Sequence, residues 1–292
     1  MSIKKIKLRC FYFKKVIKPL KNFKDGKMSN KKRQQTTFKK RELSQKSASN
    51  GEIWLYGYHA ATAALRNKER KILRLLVSKE TLKELESERI ALPVPAQIVP
   101  RAEFSRYLDE HAVHQGIAVL TKELPDTGIE DLDLSGNGVI LILDQVTDPH
   151  NVGAVLRSAA AFDAKAVITA QKNAPEVTGV LAKSACGALE TVPLIYVTNL
   201  VRAMQYLKDN GYWCVALDGH AQKNMHETDL PEKCALVLGA EGSGLRRLTA
   251  ENCDLTIKLP ISSKMESLNV SNAGAVALYE FARQKEKKKI AK

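Results

Sequence analysis

GVILILDQVTDPHNVGAVLRSAAAF (138–162) decides how the rest of the chain is read. GVILILDQV (138–146) is a nearly unbroken Val/Ile/Leu run, the mark of a strand covered on both faces. The residues from 151 to 162 are small and helix-compatible. The same alternation recurs downstream. AVIT (166–169), LIYV (194–197), WCVALD (213–218), ALVLG (235–239) and DLTIKL (254–259) read as strands. Helices fall near 151–162, 176–186, 199–210 and 269–285. This spacing predicts an α/β domain over 138–292, with a mostly parallel sheet and helices on both faces. Ligands of such sheets sit in the loops after the strand C-termini.

Upstream, residues 51–122 form a second, smaller α/β unit. A strand or loop opens it, a helix follows at Ala60–Leu65, and ILRLLVS (72–78) is a strand. A charged helix at Lys79–Arg89, a short strand at Gln97–Val99 and a helix at Arg101–Glu110 lead to the closing strand GIAVLTKE (116–123). Residues 123–137 are an acidic linker containing Pro, Gly, Ser and Asn. Residues 1–50 lack periodicity and are rich in Lys, Ser, Gln and Asn, so a disordered tail is expected there. Cys10–Phe13 is a short apolar patch within it, and Met28 is a possible second start.

The formal charge of the 292-residue chain is +14, and that excess is confined to the tail. Residues 1–50 hold 17 Lys+Arg against 2 Asp+Glu, whereas the remainder holds 29 against 30. A basic arm on a nearly neutral body suits a polyanion such as RNA; a solvated extension is the plainer reading. There is no run of 18 apolar residues, so no membrane span is expected. The first 27 residues lack the apolar core and cleavage site of a secretory signal. Five cysteines without a CxxC pair give no metal site and fit reduced thiols in the cytoplasm.

Three loops carry polar groups beside glycine or at a helix start. In DPHNVGAVLRSAAAF (148–162), Asn151 stands where a helix cap is expected, and Arg157 is the one cation among small apolar residues. Arg157 has the planar fork for a phosphate, or else lies on the surface or in an internal salt bridge. His150 is a weaker candidate base. In LVLGAEGSGL (236–245), Glu241 sits inside a glycine loop that is neither a P-loop nor a dinucleotide fingerprint. Arg246 and Arg247 follow, for phosphate or for surface cover. In SLNVSNAGAVALYEF (267–281), Ser267 and Asn269 open a helix, as caps or as holders of a substrate oxygen.

Taken in order, the three loops resemble the SpoU (TrmH-type) RNA ribose 2′-O-methyltransferases of the SPOUT class, over residues 121–285. Asn151, Gly153 and Arg157 match the family's N-x-G-x-x-x-R motif. Gly239, Glu241 and Gly244 match G-x-E-x-x-G, and Ser267–Ser271 match S-L-N-V-S. GYHAATAALRN (57–67) and HQGIAV (114–119) resemble the substrate-binding domain of the RlmB-like branch.

The resemblance implies a trefoil-knotted sheet, a homodimer and S-adenosylmethionine as methyl donor. It implies donor contacts around Gly239, Leu259 and Leu268, with Gly219 and Ile261 as further candidates. Arg157 would hold a phosphate and help activate the 2′-hydroxyl. Asn151, Glu241, Ser267 and Asn269 would orient ribose, donor and arginine. The implied substrate is a guanosine of 23S ribosomal RNA. A tRNA methyltransferase and a non-catalytic RNA-binding protein on the same fold remain as alternatives.

Overall fold

The computed structural model describes residues 51–290. The expected tail, its Cys10–Phe13 patch and the Met28 start lie outside the described residues. The first sheet has four strands: β1 (Glu52–Tyr56), β2 (Ile72–Val77), β3 (Ala96–Ile98) and β4 (Ile117–Lys122), in the order β1-β4-β2-β3. β4 runs antiparallel to both neighbours, and β3 is parallel to β2. Helices α1 (Tyr58–Arg66) and α2 (Lys79–Ser87) complete this unit. The helix expected at Arg101–Glu110 is instead a short 3-10 turn, Arg101–Arg106. The chain leaves helical geometry at Tyr107, whose N–H donates to Phe104 O, and Asp109 then takes the backbone N–H of His111. Phe104 anchors the turn, fully buried with Tyr56, Leu76 and Ala118.

The second sheet contains β5 (Gly138–Asp144), β6 (Ala166–Ala170), β7 (Leu194–Val197), β8 (Trp213–Leu217), β9 (Lys223–Asn224), β10 (Lys233–Gly239) and β11 (Leu255–Lys258). Their order is β7-β6-β5-β10-β8-β11-β9, and every pairing is parallel. Alternation along β5 sorts its side chains into two layers. Val139, Leu141 and Leu143 pack with α3 (Pro149–Ala161), α4 (Gly179–Ala185) and α7 (Val270–Ile290). Ile140 and Ile142 face the other way, onto α5 (Leu200–Asp209) through Leu200, Ala203, Met204 and Leu207. The expected three-layer arrangement is therefore present. Two elements escaped the sequence reading, the two-residue β9 and α6 (Arg247–Glu251). The last helix also runs five residues beyond 285.

The two sheets share a buried seam. Ile53 and Leu55 of β1 pack with Ala64 of α1 and Ala182 of α4. Arg70 and Glu190 form a buried ion pair at 2.6 Å, and Asn67 Nδ2 donates to the same carboxylate at 2.7 Å. Residues 123–137 are tied to the larger sheet. Ile129 and Leu134 are buried in its core, and Lys165 and Lys233 each donate to a carbonyl of the stretch.

Candidate functional site

The first loop leaves β5 at Asp144, a carboxylate with no exposed side chain. Asp148 caps α3, accepting from the N–H of His150 at 2.9 Å, with Pro149 in the first turn. This corrects the expectation that Asn151 is the cap: proline favours the first helical position, which places the cap one residue earlier. Asn151 lies inside the first turn, and its amide is free to point across the loop. Gly153 lets α3 pack directly onto Leu181 and Ser184 of α4.

The second loop folds back on the end of β10. A Cβ on Gly239 would fall onto Gly244 C and O and onto Leu245 N, so only glycine fits. Ala240 and Gly244 exchange backbone hydrogen bonds at 3.1 and 2.9 Å. Arg246 closes the loop: its backbone N–H and Nε donate to Asp144 at 2.9 and 2.7 Å. Neither reading of Arg246 from the sequence included this clamp, which leaves its side chain 47% exposed. The sequence signal was there, in an acid ending an apolar strand.

The third loop ends on Asn269, which caps α7. Its Oδ1 accepts from Ser271 N at 2.9 Å and Asn272 N at 3.4 Å. Its Nδ2 donates to Glu241 Oε1 at 2.6 Å and to Asn151 Oδ1 at 2.9 Å. Asn151 Nδ2 donates to the same Glu241 oxygen at 3.0 Å. Three loops far apart in sequence thus meet in one triangle, with the carboxylate as common acceptor. Among the described residues Glu241 Oε2 has no partner, and Glu241 is exposed. A carboxylate oriented by two amides, with one oxygen open, can accept a proton or a hydroxyl hydrogen bond.

Ser267 and Arg157 stand apart from the triangle. Both are exposed and, among the described residues, make no hydrogen bond or ion pair. Ser271, not Ser267, is the serine that bonds Asn269. Arg157 is six residues beyond Asn151 on α3, about 9 Å farther along the helix axis. Its guanidinium is unspent and faces solvent, which suits an external anion. His150, given little weight from the sequence, touches Ser184 Oγ through Nδ1 at 3.2 Å.

The donor-side candidates divide between a backbone turn, exposed apolar side chains and one half-buried leucine. A Cβ on Gly219, just after β8, would stand 3.9 Å from Glu266 O. The turn after β8 and the 260–269 segment are therefore neighbours. Ile261, Met265 and Leu268 of that segment are 39, 64 and 37% exposed, an uncovered apolar lining beside open backbone. Leu259 instead packs partly on the core. Among the described residues, no group of three His, Cys, Asp or Glu side chains could hold a metal ion.

A family model described as SpoU rRNA Methylase matches residues 138–279. A second, described as RNA 2′-O ribose methyltransferase substrate binding, matches 54–127. The chain is 39% identical over 240 residues to the 23S rRNA (guanosine-2′-O-)-methyltransferase RlmB of Haemophilus influenzae, covering 79% of this chain and 97% of that protein. It is 40% identical over 246 residues to the protein of the same name in Coxiella burnetii, covering 80% and 96%. In fold it resembles an RNA 2′-O ribose methyltransferase crystal structure with a TM-score of 0.71, 24% identity and coverage of 84% and 92%. It also resembles AviRb of Streptomyces viridochromogenes, a SpoU methyltransferase solved with AdoMet, with a TM-score of 0.69, 21% identity and coverage of 85% and 93%.

Proposed function

The chain belongs to the SpoU rRNA methylase family, and from that premise we propose that it methylates the ribose 2′-hydroxyl of a guanosine in 23S ribosomal RNA. The observation that carries this reading is the Asn151–Glu241–Asn269 triangle, which joins the three loops at the C-terminal edge of a parallel sheet. The agreement of nearly full-length relatives on one substrate favours ribosomal RNA over tRNA. Residues 138–292 act as the transferase, 51–122 as the RNA-binding unit, and 123–137 join them.

S-adenosylmethionine, when bound, supplies a methyl group already activated on a sulfonium. The backbone at Gly239, the Gly219 turn and the side chains of Ile261 and Leu268 would hold it, with Leu259 behind. The protein's own residues position the acceptor. Arg157 grips the phosphate next to the reacting ribose and stabilises charge there. Glu241, fixed by Asn151 and Asn269, accepts from the ribose hydroxyl and holds it in line. Ser267 contributes a hydroxyl at the ribose side.

A homodimer fits the exposed face of α7, where Val276 and Tyr279 are 46 and 57% exposed one turn apart. A ribosomal RNA substrate and reduced thiols fit a cytoplasmic enzyme. Among the described residues, no helix is long and apolar enough to cross a membrane.

The deciding experiment supplies labelled methyl donor with undermodified ribosomal RNA and with bulk tRNA, then maps the product. Label on a 23S guanosine 2′-oxygen is expected, whereas label confined to tRNA would reverse the substrate choice. Arg157→Ala should abolish transfer with donor affinity nearly unchanged. Turnover like the wild type's would remove Arg157 from the mechanism.

A further inference from the structure

The stretches GYHAATAALRN (57–67) and HQGIAV (114–119) take no part in the triangle, yet they meet each other and α4. The N–H of Tyr58 donates to Gln115 Oε1 at 3.0 Å. Gly57 has φ +87°, and a Cβ there would stand 3.3 Å from Gln115 Oε1 and 3.4 Å from Lys183 Cγ. The Lys183 stem therefore lies along the Gly57 turn, at the seam between the sheets. Among the described residues its ammonium makes no hydrogen bond and no ion pair. Burial pushes its pKa below the usual lysine range.

Two cations act on the neighbouring histidine. His114 is held below its ordinary pKa, first by burial and then by Arg101 and Lys183. Its ring stacks on Phe104 at 4.1 Å, and Gly116 N–H donates to its Nδ1 at 3.1 Å. The neutral ring therefore keeps its proton on Nε2, as a second donor. A partly dehydrated cation without a counter-charge is costly, and an anion in the seam would offset that cost.

We infer that Lys183 contacts a phosphate of the RNA strand that runs from the small sheet to the Asn151–Glu241–Asn269 triangle. The inference rests on the RNA methyltransferase reading above. The position of α4 carries it. On one side Lys183 lies on the Gly57 turn. On the other, the adjacent Ser184 touches His150, whose neighbour Asn151 belongs to the triangle. A strand spanning the two parts passes over this helix. Lysine there is a point charge that positions a backbone and reads no sequence.

The test is binding of in vitro transcribed 23S rRNA to the full chain across about 50 to 300 mM salt. Lys183→Met keeps a stem that packs on Gly57 and removes the charge, and Lys183→Arg restores it. In Lys183→Met the log–log salt slope should shrink by about one, and the KM for RNA should rise by about tenfold. Affinity for S-adenosylmethionine, which reports an intact fold, should stay within about twofold, and Lys183→Arg should recover the slope. A Lys183→Met protein with wild-type slope and KM overturns the assignment. So does weaker binding with an unchanged slope, which marks a structural role or a protein contact. Absence of methylation by the wild type would sink the functional reading separately, because the slope is measured without turnover.

Discussion

Asn269 does two jobs with one side chain. Its oxygen caps α7 while its amide nitrogen joins Glu241 to Asn151. Substitution at either end of the link should therefore separate catalysis from folding. Glu241→Ala leaves two amides without their acceptor at an exposed position, so its stability cost stays near or below about 1 kcal/mol. The triangle's geometry is lost, and kcat should fall by about a hundredfold or more; thermal melting and single-turnover assays on one preparation check both. Gly239→Ala should do the opposite and damage the fold, because no backbone shift short of opening the 240–246 loop makes room for the methyl group. The members of the triangle were legible in the sequence because each is a polar residue beside glycine or at a helix start. Their pairing was not, because hydrogen bonds spanning 28 to 118 residues leave no local trace. Asp144 was overlooked for a related reason: within an apolar run it reads as the end of a strand, and only the Arg246 clamp shows its purpose.

Among the elements, α3 shows how one residue of framing changes a role. With Asp148 as the cap, Asn151 is released for the triangle. Asp148→Ala should cost about 1 kcal/mol and lower Tm by roughly 2–4 °C, with activity falling beyond what that loss of fold explains. Calorimetry beside kcat would show it. Helix α7 bears the other test. Tyr279→Glu on its exposed face should turn a dimer into a monomer by light scattering, whereas an unchanged mass would place any dimer interface elsewhere. The seven parallel strands were largely visible as apolar runs, since a strand covered on both faces needs no alternation. β9 and α6 were not, since two and five residues are too few to show a period. The 101–110 stretch misled because its helical spacing is real, but the chain tightens to a 3-10 turn closed at Tyr107 by its N–H to Phe104 O.

At the scale of the molecule, the seam between the sheets depends on a buried charge pair. Arg70→Met should destabilise by about 3–5 kcal/mol by stranding Glu190. Adding Glu190→Met should recover much of that loss, which denaturant titration of the single and double variants would reveal. Alkaline pH acts elsewhere. Burial pushes the thiols of Cys214 and Cys253 up from about 9 to about 12. Between those values the unfolded chain releases protons that the folded chain retains, so stability is full below about pH 9 and falls as pH rises toward 12. Melting temperatures taken upward from pH 8 should show that decline, and it should be shallower in Cys214→Ala. Composition located the excess charge but could not show that the two sheets are joined by apolar packing and a salt bridge. That joint turns the chain into a ruler. The gap between the small sheet and the methyl-transfer edge is set by buried apolar side chains and the Arg70–Glu190 pair, so the separation is not tuned by a slack tether. Neither sheet can shift against the other without opening that packing and stranding Glu190 beside it.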